Sequence, residues 1–325
     1  GSSVDLRPAT TGGPGGQLLN SNITAPSVFL GAPSAQLSLN RVTVNSAGRV
    51  QLQAGNINNL PQAANLTLDR TTINASDVQL TVTPGGIANI TRSNVTGLAT
   101  AVRNDLVVQG RLDLNISNLN APILAVSTQT GGRTAINSSN VTASNSVLVS
   151  SDGGNTTITG TASLNANVSA FPNGNAILRA DSGGLLTANQ MQGAARNYQV
   201  INQSGGTLTV GNSQIEAANL TVSNPNVVPG GKLLHRLNPG ASNMVVNSST
   251  LHATNNFQIS ANEGSVLIDG TGATVLASDN SFVANASGTG CLNIVGSTVN
   301  GTNVLAINAS NTSTTIAATV RGAPQ

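Results

Sequence analysis

The stretch Leu66–Leu80, LTLDRTTINASDVQL, carries three apolar pairs: Leu66/Leu68, Ile73/Ala75 and Val78/Leu80. Within each pair the spacing is two, and the residues between pairs are polar turn formers. A period of two belongs to β-strands, whose side chains alternate between faces, and not to helices. The central pair, an aliphatic residue followed two positions later by Ala, Gly or Ser, recurs twelve times. It begins at Ile23/Ala25 and runs through Val44/Ser46, Val95/Gly97, Met191/Gly193, Ile215/Ala217, Leu251/Ala253 and Val275/Ala277 to Val299/Gly301. Successive sites lie 21 to 29 residues apart with one exception. Such self-similarity is the mark of a stacked repeat.

Around each site the position one residue later is polar in every repeat except at Leu276. A second apolar pair precedes the site, as in Leu208/Val210, and another strand follows it, as in Leu220/Val222. One repeat of two or three short strands cannot bury its apolar row alone. Stacking repeats about 4.8 Å apart joins the rows into one core. The sequence therefore predicts an all-β, single-stranded parallel β-helix of about 12 coils, a rod on the order of 55–60 Å long. Coils of this length suit the right-handed form. The expected organisation is a single domain over residues 1–325, with a capping segment at 1–17, a surface insertion at 224–241 and a tail at 321–325. The tail offers no strong cap, so the chain reads as a segment of a longer rod.

Composition agrees with a narrow core. Charged residues make up 7% and aromatics 2% of the chain, and a coil interior a few side chains wide is filled by Val, Ile, Leu and Ala. The phased aliphatic ladder argues against disorder, which the low aromatic content would otherwise favour. Cys291 is the one cysteine and is expected as a small buried apolar residue. No run of 18 apolar residues is present to span a membrane. The formal charge of +2 and the lone lysine, Lys232, leave no basis for nucleic-acid binding, which needs clustered cations.

Stacking makes catalytic clusters readable, because cooperating acids would share an offset on adjacent coils. Asp113 and Asp269 share one offset, Asp77 and Asp279 another, but both pairs belong to distant coils. No Gly-x-Ser-x-Gly elbow, metal-ligand spacing or in-register Thr-x-Thr face occurs. The expectation is a non-enzymatic protein without cofactor, metal or catalytic residue.

Two features rise above this background as candidate ligand-binding sites. Arg41, Arg70 and Arg92 all fall three residues before the ladder site on consecutive coils, so three guanidinium groups should line up on the outside. Arginine suits carboxylate and phosphate geometry, and such a row would take an anionic polysaccharide unless Asp69 and Asp77 neutralise it. The gap from Ile215 to Leu251 is the exception to the spacing. It holds NPNVVPGGKLLHRLNPGA, with Lys232, His235 and Arg236 in a proline- and glycine-rich loop. Insertions in solenoids map to surface loops. In addition, Glu216 and His252 share an offset on consecutive coils and should pair. The chain contains 17 Asn-x-Ser/Thr sequons, most simply a by-product of Asn at turns and Ser/Thr in strands. Stacked Asn side chains should also hydrogen-bond along the coils.

Stretches such as LTVGNSQIEAANLTVS (208–223) and FQISANEGSVLIDGTGATV (257–275) resemble the haemagglutinin-type repeats of filamentous-haemagglutinin-like exoproteins of Gram-negative bacteria. In that family an amino-terminal secretion domain carries Asn-Pro-Asn motifs. Here Asn224-Pro225-Asn226 and Phe171–Gly174 lie deep in the repeat and read as turns. The resemblance implies a secreted or cell-surface adhesin attaching to a surface glycan or receptor, whose full-length form engages an outer-membrane transporter. Two alternatives are the stalk of a contact-dependent toxin-delivery protein and a β-helical carbohydrate-active enzyme.

Overall fold

The structure is a computed structural model that describes residues 3–8, 15–33, 35–55, 64–100, 102–166, 174–224, 243–261, 265–269, 274–287, 291–310 and 313–322. Parallel strands stack as a β-solenoid of about 11 turns, and no helix occurs among the described residues. This is the fold that the period-two ladder predicts, with about one turn fewer than its twelve sites. The chain divides into two compact units, Gly1–Leu148 with Gly154–Ser163, and Val149–Gly153 with Leu164–Gln325.

In the first unit a turn has three legs, for example Gly86–Thr91, Asn94–Gly97 and Arg103–Val108. The apolar pairs stack in register. Leu68, Ile90, Leu114, Ile136 and Ile158 form one column of the core, and Val44, Ile73, Val95 and Leu119 another. Members of both columns are buried to 6% exposure or less, and burying each such side chain stabilises by about 1.5–3 kcal/mol.

What bends the strand path is a corner that the ladder itself does not announce. Asn20, Arg41, Arg70, Arg92, Ile116, Ser138 and Thr161 all have φ between 45° and 60°. This is the left-handed region that non-glycine residues enter at a cost. Each occupies the position three before its ladder site. The amide of Arg41 donates to the carbonyl of Asp69 on the following turn at 3.0 Å, Arg70 to Thr91 at 3.1 Å and Arg92 to Asn115 at 3.0 Å. The next residue's amide, now inside the corner, takes a side-chain acceptor instead. The Thr71 amide donates to Ser93 Oγ at 3.0 Å, that of Ser93 to Ser117 Oγ at 3.0 Å, and that of Ser117 to Ser139 Oγ at 3.1 Å. Ser93, Ser117 and Ser139 are buried to 3% or less. The serines preceding the ladder site thus form an internal hydroxyl column that satisfies amides with no carbonyl in reach.

The other sharp corner joins the third leg to the next turn and is made of glycine. A Cβ on Gly132 would collide with the carbonyl oxygen of Val108, so only glycine lets successive turns approach there.

The second unit uses the same left-handed corner at Gln190, Asn212 and Ser248. Its second and third legs merge into long strands, Gln192–Asn202, Gln214–Asn224 and Thr250–Ala261, as they already do at Asn118–Gln129 in the first unit, which leaves two strands per turn, within the two or three expected. Buried Phe257 and Phe282 sit in register and meet edge to face, with centroids 5.1 Å apart.

Two ladder sites differ from the sequence reading. Gly193, not Met191, is in register with Ile215, and Ala195 with Ala217. Met191 takes the place of the corner serine, its amide donating to Ser213 Oγ at 3.1 Å. Tyr198 fills the volume that glycine leaves, since a Cβ on Gly193 would lie 2.7 Å from the Tyr198 ring. Similarly, Leu276, not Val275, aligns with Leu251 and Val299. Leu276 is fully buried, which accounts for the one aliphatic residue in the polar row.

Candidate functional site: the arginine corner

Arg41, Arg70 and Arg92 occupy the left-handed corner on consecutive turns of the first unit, with their side chains exposed. Their outward direction follows from the corner: a left-handed residue whose amide bonds the neighbouring turn projects its Cβ away from the core. The three guanidinium groups are not equivalent, however. Arg92 donates from Nε at 3.0 Å and from a terminal nitrogen at 2.7 Å to the same Asp69 oxygen. The second Asp69 oxygen accepts from Asn40 Nδ2 at 3.4 Å. Asp77 does not relieve the row at all. Its carboxylate pairs with Arg49 Nε at 2.6 Å on the neighbouring strand, where Asp77 and Arg49 are register partners.

The remaining acids of the first unit are committed in the same way. Asp5 pairs with Arg7 at 2.9 Å, Asp105 with Arg103 at 2.5 Å and Asp113 with Arg111 at 2.7 Å. These three pairs are two residues apart in sequence, so an alternating strand puts both members on one face. That signal was legible in the sequence and was missed. Among the described residues of the first unit, five aspartates thus hold five arginines. Arg41, Arg70 and Arg133 have no carboxylate within salt-bridge distance. Exposed ion pairs contribute little to stability, but here they decide which cations stay open to a ligand.

Lys232, His235 and Arg236 lie outside the described residues, as does all of the insertion beyond Asn224. Glu216 and His252 are register partners as expected, but they do not form the expected pair. His252 Nε2 lies 3.0 Å from Asp279 Oδ1, and Glu216 accepts from Gln214 at 2.8 Å. The adjacent turn offers the imidazole a closer carboxylate than its in-register neighbour does.

The register also places the two acids that share an offset in sequence. Asp113 lies between Asn89 and Ala135 in the first unit, and Asp269 between Asn247 and Val295 in the second. No group of three His, Cys, Asp or Glu side chains with metal-binding geometry occurs among the described residues. The expected Asn ladder is present. Asn219 donates to Asn197 at 2.9 Å and Asn197 to Asn175 at 2.9 Å, while Asn74 donates to Asn45 at 3.1 Å and Asn140 to Asn118 at 3.0 Å. The amide nitrogens of sequon residues Asn74, Asn140 and Asn219 are therefore engaged with neighbouring turns.

No family profile matches the chain, and no curated protein matches it. Among solved structures, the chain is similar to the TibC-catalysed hyper-glycosylated TibA55-350 fragment. The identity is 14%, covering 96% of this chain and 100% of that one, with a TM-score of 0.26. Overlap at this level carries no functional argument.

Proposed function

We propose that the chain is a non-catalytic segment of a secreted bacterial surface adhesin of the filamentous-haemagglutinin-like type, and that it attaches to anionic glycan through the arginine corner. The observation that carries this reading is the corner itself. Arg41 and Arg70 sit on consecutive turns, exposed, without a carboxylate partner, on backbone fixed by inter-turn hydrogen bonds. Two like charges about 5 Å apart are mildly unfavourable without a counter-ion. A ligand supplying carboxylate, sulfate or phosphate groups at similar spacing removes that cost and gains charge-assisted hydrogen bonds. Arg92, already bonded to Asp69, contributes mainly by holding that carboxylate away from Arg70.

The non-enzymatic reading is supported by the commitment of the first unit's acids to arginines. General acid and base work needs carboxylates free to exchange protons at separations of about 5–9.5 Å. The test is retention on immobilised heparin and on an anionic bacterial polysaccharide. The Arg41→Gln/Arg70→Gln/Arg92→Gln variant is expected to elute at markedly lower salt than the wild-type chain. Unchanged retention removes the arginine corner from the account.

A further inference from the structure

We propose a second binding site, at the glycine corner of the first unit, for a sugar bearing a carboxylate. The site stands on residues separate from the arginine corner and does not depend on it. An open groove of about 530 Å³ runs along this corner, within the range of about 300–1,000 Å³ usual for small-ligand sites. Three successive turns line it. Pro84–Gly86, Gln109–Gly110 and Thr130–Gly131 form its floor, and Ile87, Arg111 and Arg133 its wall.

The wall is a register column: Ile87 pairs with Arg111, and Arg111 with Arg133. Both arginines are exposed, and Ile87 is half-buried. Asp113 holds Arg111 Nε at 2.7 Å. Arg133 has no carboxylate partner among the described residues, so the column carries one uncompensated positive charge at one end and an apolar surface at the other. The four floor glycines, Gly85, Gly86, Gly110 and Gly131, carry no side chains, which leaves the groove open between them. Gln109 Nε2, bonded to Gln129 Oε1 at 2.9 Å, fixes a polar rim.

This combination selects a ligand by chemistry. The guanidinium of Arg133 takes a carboxylate in two parallel hydrogen bonds. Ile87, Pro84 and the glycine methylenes present a weakly polar surface suited to the C–H face of a pyranose ring. A hexuronate offers both features on one residue. Inorganic anions lack the ring, and neutral sugars lack the charge. Within a sheet, Arg133 and the left-handed corner that follows at Ser138 lie five residues apart, about 17 Å. A short uronate oligomer in the groove therefore does not need to touch the arginine corner.

The experiment is calorimetric titration of the full chain with tetragalacturonate, with its fully methyl-esterified form as the uncharged control. The wild-type chain is expected to bind the acid and not the ester. Arg133→Gln is expected to weaken binding about tenfold or more, as loss of a charged hydrogen-bond partner implies. Ile87→Glu, which puts a competing carboxylate in the column, should do the same, while Arg103→Gln, a charge-matched change outside the groove, should leave tetramer binding unchanged; Arg41→Gln/Arg70→Gln is titrated alongside. Equal binding of acid and ester, wild-type affinity in Arg133→Gln, or no binding of the tetramer overturns the groove. Loss confined to Arg41→Gln/Arg70→Gln also overturns it, and would assign the tetramer to the arginine corner. The salt at which the wild-type chain and the triple arginine variant elute from heparin then still decides the proposed function independently.

Discussion

At the scale of single residues, the least expected finding is that so many non-glycine side chains sit at φ near +50°. Ile116 is the extreme case, a β-branched residue at φ 47° that is 65% exposed. Most of its side chain lies open to solvent, and its backbone region disfavours branched side chains most. Ile116→Asn should therefore raise stability by about 1 kcal/mol, measured as a higher denaturant midpoint at unchanged slope. Asp181 gives a different residue-scale prediction. Burial, the largest influence, would raise its carboxyl. Hydrogen bonds from Gln203 at 2.6 Å, from Ser204 and from the Ser182 amide, with the charge of Arg179, together outweigh burial and hold it below the usual 3.8. The folded state thus holds this proton less tightly than the unfolded chain. The resulting stability is full above the unfolded value and is lost as pH falls through the lower folded value. Asp181→Asn should flatten that acid limb by lowering stability at pH 7 toward its acid value, a small change because the group is only partly buried.

At the scale of the strand, packing overrides the local pattern in a way that shows what the sequence can and cannot display. The apolar-x-small motif located the second leg in the first unit because side chains of one size class recur in one column. In Gln192–Asn202 that size class breaks: glycine holds the core position, and Tyr198, five residues on, supplies the missing volume. Met191/Gly193 imitates the motif two residues early, and only register shows the exchange. The pair should behave as a unit. Gly193→Val alone is expected to destabilise by about 1–3 kcal/mol through overpacking, and Tyr198→Ala alone by about 3–5 kcal/mol. The double variant should cost less than the two losses combined, and a double-mutant cycle by urea unfolding measures the difference. Additive losses would show that the ring does not depend on the glycine. The arginine row was legible for a similar reason, since a fixed offset on consecutive coils is visible in sequence. Its neutralisation was not, because Asp69 could meet either Arg70 or Arg92, and the corner geometry chooses Arg92.

At the scale of the whole molecule, charge is unevenly divided. The first unit carries eight arginines against five aspartates, and the second carries five cations against six acids. Both proposed sites fall in the positive unit. Binding of a long polyuronate should accordingly weaken steeply as ionic strength rises through about 0.15 M, where the screening length falls to about 8 Å. Hydrogen exchange with the polymer bound should show protection among residues 36–137 and none after Leu164. Protection spread evenly over both units would indicate non-specific adsorption. The fold class itself was open to reading from periodicity alone. The sites were open only in part, because which cations remain available depends on which carboxylates their neighbours have already taken.

The left-handed corner has one more consequence, and it concerns how damage spreads. At the Arg70 corner the amides of Arg70 and Thr71 donate to the following turn, to the carbonyl of Thr91 and the hydroxyl of Ser93, while the amide of Thr72 donates back to the carbonyl of Val42 on the preceding turn at 2.9 Å. The corners act like rivets through stacked plates. A break at one loosens the turn before it and the turn after it together.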